Sequence, residues 1–377
     1  MATIIPKTTV SLTLPSKGQP FRLMSHPSPT PEAGSAVVRI LASTIASSHH
    51  RIFVQGARAF PPDFVPGGSA VGRVLATGSD AVSLEPGQLV LVDVFIHARD
   101  EPNAKILLGL SDGFLPASKK LMRNAWPSGT WTQILRVPLE SCFALDEARL
   151  TGCPADGGLG YQLTELPYIA RLAVAYGGAC VAEVRPGSTV IVGPATGHFS
   201  GAAAEVCAAL GAARIVCVGR NAEVLSRLKR IVPRVETVVL VGDTAQDSEA
   251  IRAACGWPGA NSFLEISPAA NRNPTHIRGA IDALVVGGKI ALQGSPGNCG
   301  ELPYSQLLRR ELTMRGAWMC TREQMCEIIR MVEGAVTKLG QEAGHEMVGV
   351  YSFEEWEEGL GVASEKTAWG QQVVFTP

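Results

Sequence analysis

The chain has 377 residues, a formal net charge of −1 and a composition that is 46% hydrophobic and 18% charged. Such a composition is typical of a globular protein of two or three domains, and the near-neutral charge gives no basis for binding nucleic acid or an acidic membrane surface. No run of about twenty apolar residues is free of charges and breakers, and Pro6 and Pro15 interrupt an N-terminal segment that lacks a basic leader. We therefore expect a soluble, cytoplasmic protein with no membrane span and no nucleic-acid partner.

Two patterns of hydrophobicity divide the chain. Short alternating apolar runs between Pro and Gly, such as SAVVRILAS and SAVGRVLATG, predict a β domain over residues 1–160. From residue 161 the strands TVIVG, RIVCVG, TVVLVG, NSFLEI and GKIALQG alternate with helices. Continuous apolar strands that alternate with helices predict a doubly wound parallel sheet, here over residues 161–312. Residues 313–377 are predicted to return to the first domain.

The first strand of this sheet ends in the turn GPATGHFSG, which opens a helix rich in alanine. Ala195 to Ser200 occupy the G-x-G-x-x-G fingerprint of dinucleotide sites, and they keep only the middle glycine, Gly197, which lets the backbone approach a pyrophosphate. The strand–turn–helix–strand context favours a dinucleotide site over a turn that binds nothing, with the helix N-terminus facing the phosphates. The candidate contacts are Ala195, Thr196, Gly197, His198 and Phe199.

The end of the second strand predicts which dinucleotide binds. RIVCVG ends at Gly219 and is followed by Arg220 and Asn221. NAD sites carry Asp or Glu here to hold the ribose hydroxyls, whereas an arginine accepts the 2′-phosphate of NADP. We therefore predict NADPH over NADH, with a hydrogen bond from Asn221. The alternative is that Arg220 is a solvated residue at the start of a helix.

These segments resemble those of the medium-chain dehydrogenases/reductases. The stretch from Ala175 to Asn221 is similar to the core of their cofactor domain, and VVRILASTIASSHHRIFVQG and FVPGGSAVGRVLATGSDAVSLEPGQLV resemble parts of their N-terminal domain. The resemblance implies an α/β protein with a GroES-like β domain and a Rossmann domain, and an active site in the cleft between them. It also implies a homodimer formed through the Rossmann domain, and we assign Gln293 and Gly294, at the end of GKIALQG, to the cofactor site.

Both zinc sites of the zinc alcohol dehydrogenases, which this family includes, are missing here by residue type. The position of the metal-binding cysteine holds Ala46, the Gly-His-Glu segment reads Gly67-Gly68-Ser69, and no cysteine of a four-cysteine structural site precedes Cys142. A catalytic zinc ion requires Cys, His or acidic ligands. We therefore expect no zinc. The departures resemble the zinc-independent quinone-oxidoreductase and enoyl-reductase branch, including its fungal members.

Without zinc, the protein must orient the nicotinamide and stabilise the negative charge that develops on the substrate. The resemblance places Ser48, His49 and His50 in a segment that lines the cleft, where Ser48 matches a proton-relay hydroxyl and either histidine could donate a proton near neutral pH. Adjacent histidines cannot both face one cleft, and a surface loop is their alternative role. Tyr176 matches a position near the nicotinamide, with ordinary packing as its alternative. Water or a cofactor hydroxyl supplies the proton in many zinc-free relatives.

The sequence thus predicts an NADPH-dependent reductase of an activated C=C or C=O in a medium-sized apolar small molecule, with natural-product tailoring as one setting. Two alternatives stay open. One is a non-redox isomerase or cyclase on the same fold, with His49 or His50 as its acid/base. The other is a nucleotide-binding protein without catalysis.

Overall fold

The structure, a computed structural model, describes residues 5–297 and 303–377 and forms two compact units. The first unit comprises the N-terminal part up to Tyr168 with Met347–Thr367 and Gln372–Pro377, and the second comprises Ile169–Glu346 with Ala368–Gln371. The chain therefore returns to the first unit after the second and visits the second again for four residues. None of the helices in the described ranges has the length and apolar character needed to cross a membrane.

The first unit is built mainly of antiparallel strands. Its elements up to residue 168 are β1 (Thr8–Thr13), β2 (Arg22–Pro27), β3 (Ser35–Thr44), α1 (Ser47–His49), β4 (Ala70–Thr77), β5 (Leu89–Val92), β6 (Phe95–His97), β7 (Lys105–Leu107), α2 (Pro116–Lys120), β8 (Ile134–Pro138), β9 (Cys142–Ala144) and α3 (Glu147–Thr151).

The second unit alternates strands with helices. Its elements are α4 (Ile169–Val181), β10 (Thr189–Gly193), α5 (His198–Ala209), β11 (Arg214–Gly219), α6 (Ala222–Ile231), β12 (Val235–Val239), α7 (Thr244–Cys255), β13 (Ala260–Glu265), α8 (Thr275–Asp282), β14 (Leu284–Leu292), α9 (Tyr304–Arg309), β15 (Thr313–Gly316) and α10 (Arg322–Glu333). The last elements of the chain are β16 (Glu346–Tyr351), α11 (Trp356–Glu365) and β17 (Gln371–Phe375).

A seven-stranded sheet organises the first unit. The strand order is β16-β17-β3-β4-β5-β9, and β8 pairs with the start of β3 on the edge opposite β4. Four of the ten residues of β3 are branched apolar side chains, and almost all of the strand is buried because it pairs with three neighbours. The largest side chains of this core, Trp131, Phe53 and Phe375, are fully buried.

One ionisable side chain is enclosed at the end of β5. Asp93 follows Val92 and is 6% exposed. Burial raises the pKa of its carboxyl to about 6, although the backbone N–H groups of Phe95 and Val94 hydrogen-bond to it and act in the opposite direction. In an unfolded chain the carboxyl has a pKa of about 3.9. The folded state therefore holds this proton more tightly than the unfolded state does.

Asp93→Asn is expected to remove a pH dependence from the stability of the protein. A raised carboxyl pKa contributes stability that is complete below about pH 4 and is lost as the pH rises through about 6. The difference between the folded and unfolded pKa values sets an upper limit of about 3 kcal/mol on this contribution. Urea unfolding from pH 4 to 7 should show the free energy of unfolding of the wild type falling relative to that of the variant. A difference between the two proteins that stays constant with pH would contradict the assignment.

The second unit contains the predicted doubly wound sheet. Six parallel strands lie in the order β12-β11-β10-β13-β14-β15. Apolar residues of its strands and helices, among them Ile191, Val216, Phe263 and Ile251, form one buried cluster. This alternation of parallel strands and helices confirms the predicted doubly wound fold of the unit.

The structure divides the chain differently from the sequence prediction at residues 313–346. The prediction grouped them with the first domain, whereas they belong to the second unit. β15 pairs with β14, with Thr313 opposite Lys289, and α10 packs against α4. The strand TMRG is short and half polar, so its sequence gives no sign of this pairing. The first boundary falls at Tyr168 rather than at residue 160.

Candidate cofactor and catalytic site

The order in which successive strands join the parallel sheet reverses after β12, so that β10 lies between β11 and β13. The chain pairs β11 on one side of β10 and β13 on the other, and the crevice outside the carboxyl ends of such strands is where α/β sheets bind ligands. The residues predicted to bind the cofactor follow β10, β11 and β14 directly. The fold therefore brings the three predicted segments to one edge of one sheet.

In the turn after β10, there is free space beside the backbone of Gly197. A Cβ atom added to Gly197 would meet only the Ser200 Oγ within 4 Å, at 3.2 Å, and the Gly197 N–H donates to this hydroxyl over 3.1 Å. Ala195 is fully buried, and its N–H donates to the Val218 carbonyl on β11. The twelve-residue helix α5 begins at His198. This turn and the N-terminal amides of α5 fit a pyrophosphate.

The end of β11 packs directly against this turn. A Cβ atom added to Gly219 would lie 2.6 Å from the Thr196 Cγ2, so a residue with a side chain would displace the turn. Arg220 comes next and is exposed. Asn221 caps α6, because its Oδ1 accepts the Val224 N–H over 3.1 Å. The oxygen of Asn221 thus serves the helix, and only its amide nitrogen is left for the predicted ligand hydrogen bond.

The other residues predicted near the turn differ in exposure. His198 is buried in the first turn of α5, and Phe199 beside it is 40% exposed. Of the two side chains, only that of Phe199 is substantially accessible from solvent.

Gln293 and Gly294, directly after β14, are closely packed. The Gln293 Nε2 donates to the Val174 carbonyl of α4 over 2.6 Å, and the Gln293 Oε1 occupies the space that a Cβ of Gly178 would need. A Cβ at Gly294 would lie 2.3 Å from the Ser267 backbone nitrogen. Gln293 and Gly294 thus lie at the sheet edge directly after β14, and the Gln293 amide nitrogen is engaged with α4.

Tyr176 is held by a carboxylate. Its hydroxyl donates to the Glu327 Oε2 of α10 over 2.8 Å. Burial raises the pKa of this phenol well above its ordinary value, and the hydrogen bond to Glu327 raises it further. A phenol of this kind does not release its proton at neutral pH. The arrangement supports the packing role that the sequence left open for Tyr176.

The three candidates after β3 have different surroundings. His49 is 1% exposed, and its ring packs against Phe53 and Trp131 at centroid distances of 5.5 and 5.3 Å. Ser48 and His50 are half-buried, and His50 opens a π-helical turn that ends at Val54. The adjacent histidines are thus separated, as expected, into one enclosed imidazole and one partly exposed imidazole.

A backbone hydrogen bond sets the tautomer of His49. The Ala46 N–H donates to the His49 Nδ1 over 3.2 Å. A nitrogen that accepts carries no proton, so the neutral imidazole holds its proton on Nε2. In this neutral form His49 can donate a hydrogen bond through Nε2, whereas giving up that proton would leave an imidazolate.

The positions that match the zinc ligands of the family do not fit a metal ion. Ala46 and Gly68 have no ligating side chain, and a Cβ at Gly68 would lie 2.3 Å from the Thr44 Oγ1 and 3.5 Å from the His49 Cε1. The His49 ring thus occupies space beside the position of the family's metal-binding histidine. Across the described ranges, no group of three His, Cys, Asp or Glu residues is arranged to hold a metal ion.

One part of this edge was not found by sequence reasoning. Ala368 forms an antiparallel bridge with Gly197, and the Trp369 N–H donates to the Thr196 carbonyl over 3.0 Å. These residues lie about 170 positions from the turn in sequence. Ala368 and Trp369 are not part of a recognisable sequence motif. Their contact with the turn is therefore seen only in the structure.

Comparisons with known proteins agree with this geometry. The 298-residue match to glucose 1-dehydrogenase of Halobacterium salinarum is 27% identical and covers 76% of this chain and 77% of that protein. A crystal structure of an NAD-dependent alcohol dehydrogenase superposes with a TM-score of 0.74 at 21% identity, covering 98% of this chain and 99% of that one. A zinc-binding dehydrogenase from Sinorhizobium meliloti 1021, bound to NADP, gives a TM-score of 0.74 at 17% identity, covering 98% and 99%.

Two sequence families match consecutive parts of the chain. Residues 32–147 match the alcohol dehydrogenase GroES-like domain, and residues 200–334 match the domain described as zinc-binding dehydrogenase. Together the two matched regions account for the larger part of the chain. Together with those relatives, the two matches support the assignment of this chain to the medium-chain dehydrogenase/reductase family of oxidoreductases.

Proposed function

We propose that the chain is a zinc-independent, NADPH-dependent reductase of an activated C=C, as in an enone, or of a C=O in a medium-sized, largely apolar substrate. The observation that carries the cofactor preference is Arg220, an exposed guanidinium placed directly after Gly219 where β11 packs against the turn. A guanidinium binds a phosphate through two parallel hydrogen bonds, and this position offers no carboxylate to a ribose hydroxyl pair. The S. meliloti dehydrogenase of the same fold was bound to NADP.

The chain's own residues then have separate tasks. NADPH, when bound, supplies the hydride. The backbone of Gly197 and the first amides of α5 hold the pyrophosphate, and Arg220 holds the 2′-phosphate. Gln293 and Gly294 form the wall of the site at the end of β14.

We propose His49, rather than His50, as the group that donates a hydrogen bond through Nε2 to the substrate oxygen, with water or a cofactor hydroxyl as the source of the proton. Reduction of an enone or ketone develops negative charge on that oxygen, and a nearby N–H lowers the barrier. The Ala46 N–H fixes the His49 Nε2 as the protonated nitrogen. The fully buried rings of Phe53 and Trp131 pack against the His49 ring and hold it in place.

The proposal is tested by supplying the purified protein with NADPH and a panel of enones and ketones. We expect a steady loss of NADPH absorbance with at least one apolar member of the panel, and formation of the saturated ketone or the alcohol. Substrate conversion with no net loss of NADPH would favour the isomerase or cyclase instead. Tight NADPH binding with no conversion of any compound would favour a nucleotide-binding protein without catalysis.

We further propose a homodimer formed through the edge of the parallel sheet. β15 is an edge strand with no neighbour on its outer side in the described chain, and three of its four residues are exposed. The preceding helix α9 exposes Tyr304 and Leu308, which are 69% and 66% exposed. An unpaired edge strand beside exposed apolar side chains favours association with a second copy.

Leu308→Glu is expected to convert this dimer to a monomer. The substitution places a charge in the apolar part of the proposed interface, where its desolvation opposes association. Light scattering after size exclusion should give the mass of two chains for the wild type and of one chain for the variant. Val82→Glu, at a side chain that is 99% exposed in the first unit, is the matched control and should stay dimeric. A wild type with the mass of one chain would contradict the proposal.

A further inference from the structure

Four residues near the C-terminus belong to the cofactor-binding unit. Ala368–Gln371 lie in the second unit, whereas the residues immediately before and after them lie in the first. Their backbone runs beside the turn, since Ala368 bridges Gly197 and Trp369 donates to the Thr196 carbonyl. On the other side, the Glu346 N–H donates to the Gly370 carbonyl over 2.9 Å. This segment is thus fixed in place between the turn and the start of β16.

The indole of Trp369 is fully buried against α5. A Cβ atom at Gly201 would lie 2.3 Å from the Trp369 Cδ1, and one at Gly344 would lie 2.8 Å from its Cη2. Gly344 also has a φ of +82°, a conformation that favours glycine. Two glycines on separate segments therefore leave the space that the indole fills, and one of them is in the first turn of α5 behind the phosphate-binding amides.

Polar contacts fix the orientation of the same indole. The Trp369 Nε1 donates to the Glu205 Oε1 over 2.6 Å, and the Glu205 Oε2 lies 2.9 Å from the His345 Nε2. Glu205 and His345 are both buried. The Arg227 guanidinium lies over the indole at 4.9 Å from its centroid and donates to the Trp369 carbonyl. A buried carboxylate with these partners is costly to leave unpaired, so the arrangement tolerates little displacement.

We propose that Trp369 is a positioning residue for the dinucleotide: it holds the Thr196–Ser200 turn and the first turn of α5 in the conformation that binds the pyrophosphate. The inference rests on the proposed cofactor site. Backbone amides bind an anion tightly only when they are already aligned, because aligning them on binding costs affinity. The imperfect fingerprint of this chain has lost its outer glycines, and the contacts of Trp369 supply order to the same turn from the C-terminal side.

The test compares Trp369→Phe with Trp257→Phe, the same substitution at a tryptophan of the second unit that is 97% exposed. Phenylalanine keeps an aromatic ring but loses the Nε1 donor to Glu205. Loss of one hydrogen bond to a charged group predicts NADPH binding weakened about tenfold. Hydrogen exchange without nucleotide should be faster at the amides of residues 197–201, and Trp257→Phe should match the wild type in both measurements.

Several outcomes would overturn the proposal. A purely structural role of Trp369 predicts a lower melting temperature, with NADPH affinity well below that temperature equal to that of Trp257→Phe. Unchanged hydrogen exchange at residues 197–201 would show that Trp369 does not order the turn, whether or not the wild type binds a nucleotide. If the wild type binds no nucleotide, the proposed cofactor site itself is refuted. If Trp369→Phe does not fold, Glu205→Gln replaces it. We then expect about threefold weaker NADPH binding and faster exchange at the same amides, and no change in either would refute the proposal.

Discussion

Arg220→Ala is expected to weaken NADPH binding roughly tenfold to a hundredfold and to leave NADH binding within about twofold of the wild type. The expectation follows from the position of Arg220, exposed and directly after Gly219, where β11 contacts the turn. NADPH differs from NADH only in its 2′-phosphate. A side chain that binds this phosphate therefore changes the affinity of one nucleotide and not of the other. Fluorescence titration of the nicotinamide measures both affinities.

Arg230→Ala is the matched control for this substitution. Arg230 is another exposed arginine, near the end of α6, and it is distant in sequence from the turn. Its loss removes the same charge and should leave both affinities unchanged. If Arg220→Ala weakens NADPH and NADH equally, Arg220 acts through the fold or the general field of the protein, and the preference for NADPH loses its basis.

His49→Gln is expected to lower the turnover number about a hundredfold, with the KM for NADPH little changed. A hydrogen-bond donor to the substrate oxygen acts mainly on the transition state, so its loss affects turnover rather than cofactor binding. Glutamine keeps much of the length of histidine but lacks the rigid ring that the Ala46 N–H orients, so its amide N–H is not held toward the substrate oxygen. Because His49 is buried among aromatic rings, this replacement also disturbs packing less than alanine would. The turnover number is measured on the substrate found in the panel of enones and ketones.

His50→Gln is the matched control, since His50 is adjacent and half-buried. We expect it to keep turnover within a few-fold of the wild type. A large loss for His50→Gln with none for His49→Gln would reverse the assignment. Mild effects of both substitutions would mean that neither imidazole acts on the substrate oxygen.

The cofactor end of the fold could be predicted from sequence because its signals are local. The apolar strand, the turn around Gly197 and the alanine-rich helix follow one another without interruption, and Arg220 comes at the spacing that a βαβ unit requires. Because the sheet is parallel, the carboxyl ends of β10 and β11 then lie side by side at one edge of it. Local pattern and global topology agree here, so the sequence was sufficient.

Other features depend on contacts between distant segments. The pairing of Ala368 with Gly197 and the burial of Trp369 on α5 join residues that have no local pattern in common. The raised pKa of Asp93 arises from burial, which a single aspartate in an apolar run does not reveal.

The different surroundings of His49 and His50 also could not be predicted from the sequence. Both residues follow β3, and sequence alone gives each of them the same chemistry. The structure separates them through the burial of His49 and the hydrogen bond from the Ala46 N–H to its Nδ1. It also shows that Tyr176 donates to Glu327 and that the Gln293 side chain turns toward α4.

The most direct measurement is a titration of the purified protein with NADPH and then NADH, followed by nicotinamide fluorescence, with a metal analysis of the same sample. The account predicts tight binding of NADPH, binding of NADH weaker by at least about tenfold, and no stoichiometric zinc. Binding of neither nucleotide would mean that Ala195–Ser200 form a turn and nothing more. Equal affinities for NADPH and NADH would contradict the role assigned to Arg220. One zinc ion per chain would contradict the conclusion that the positions of Ala46 and Gly68, which have no metal-binding side chain, hold no metal.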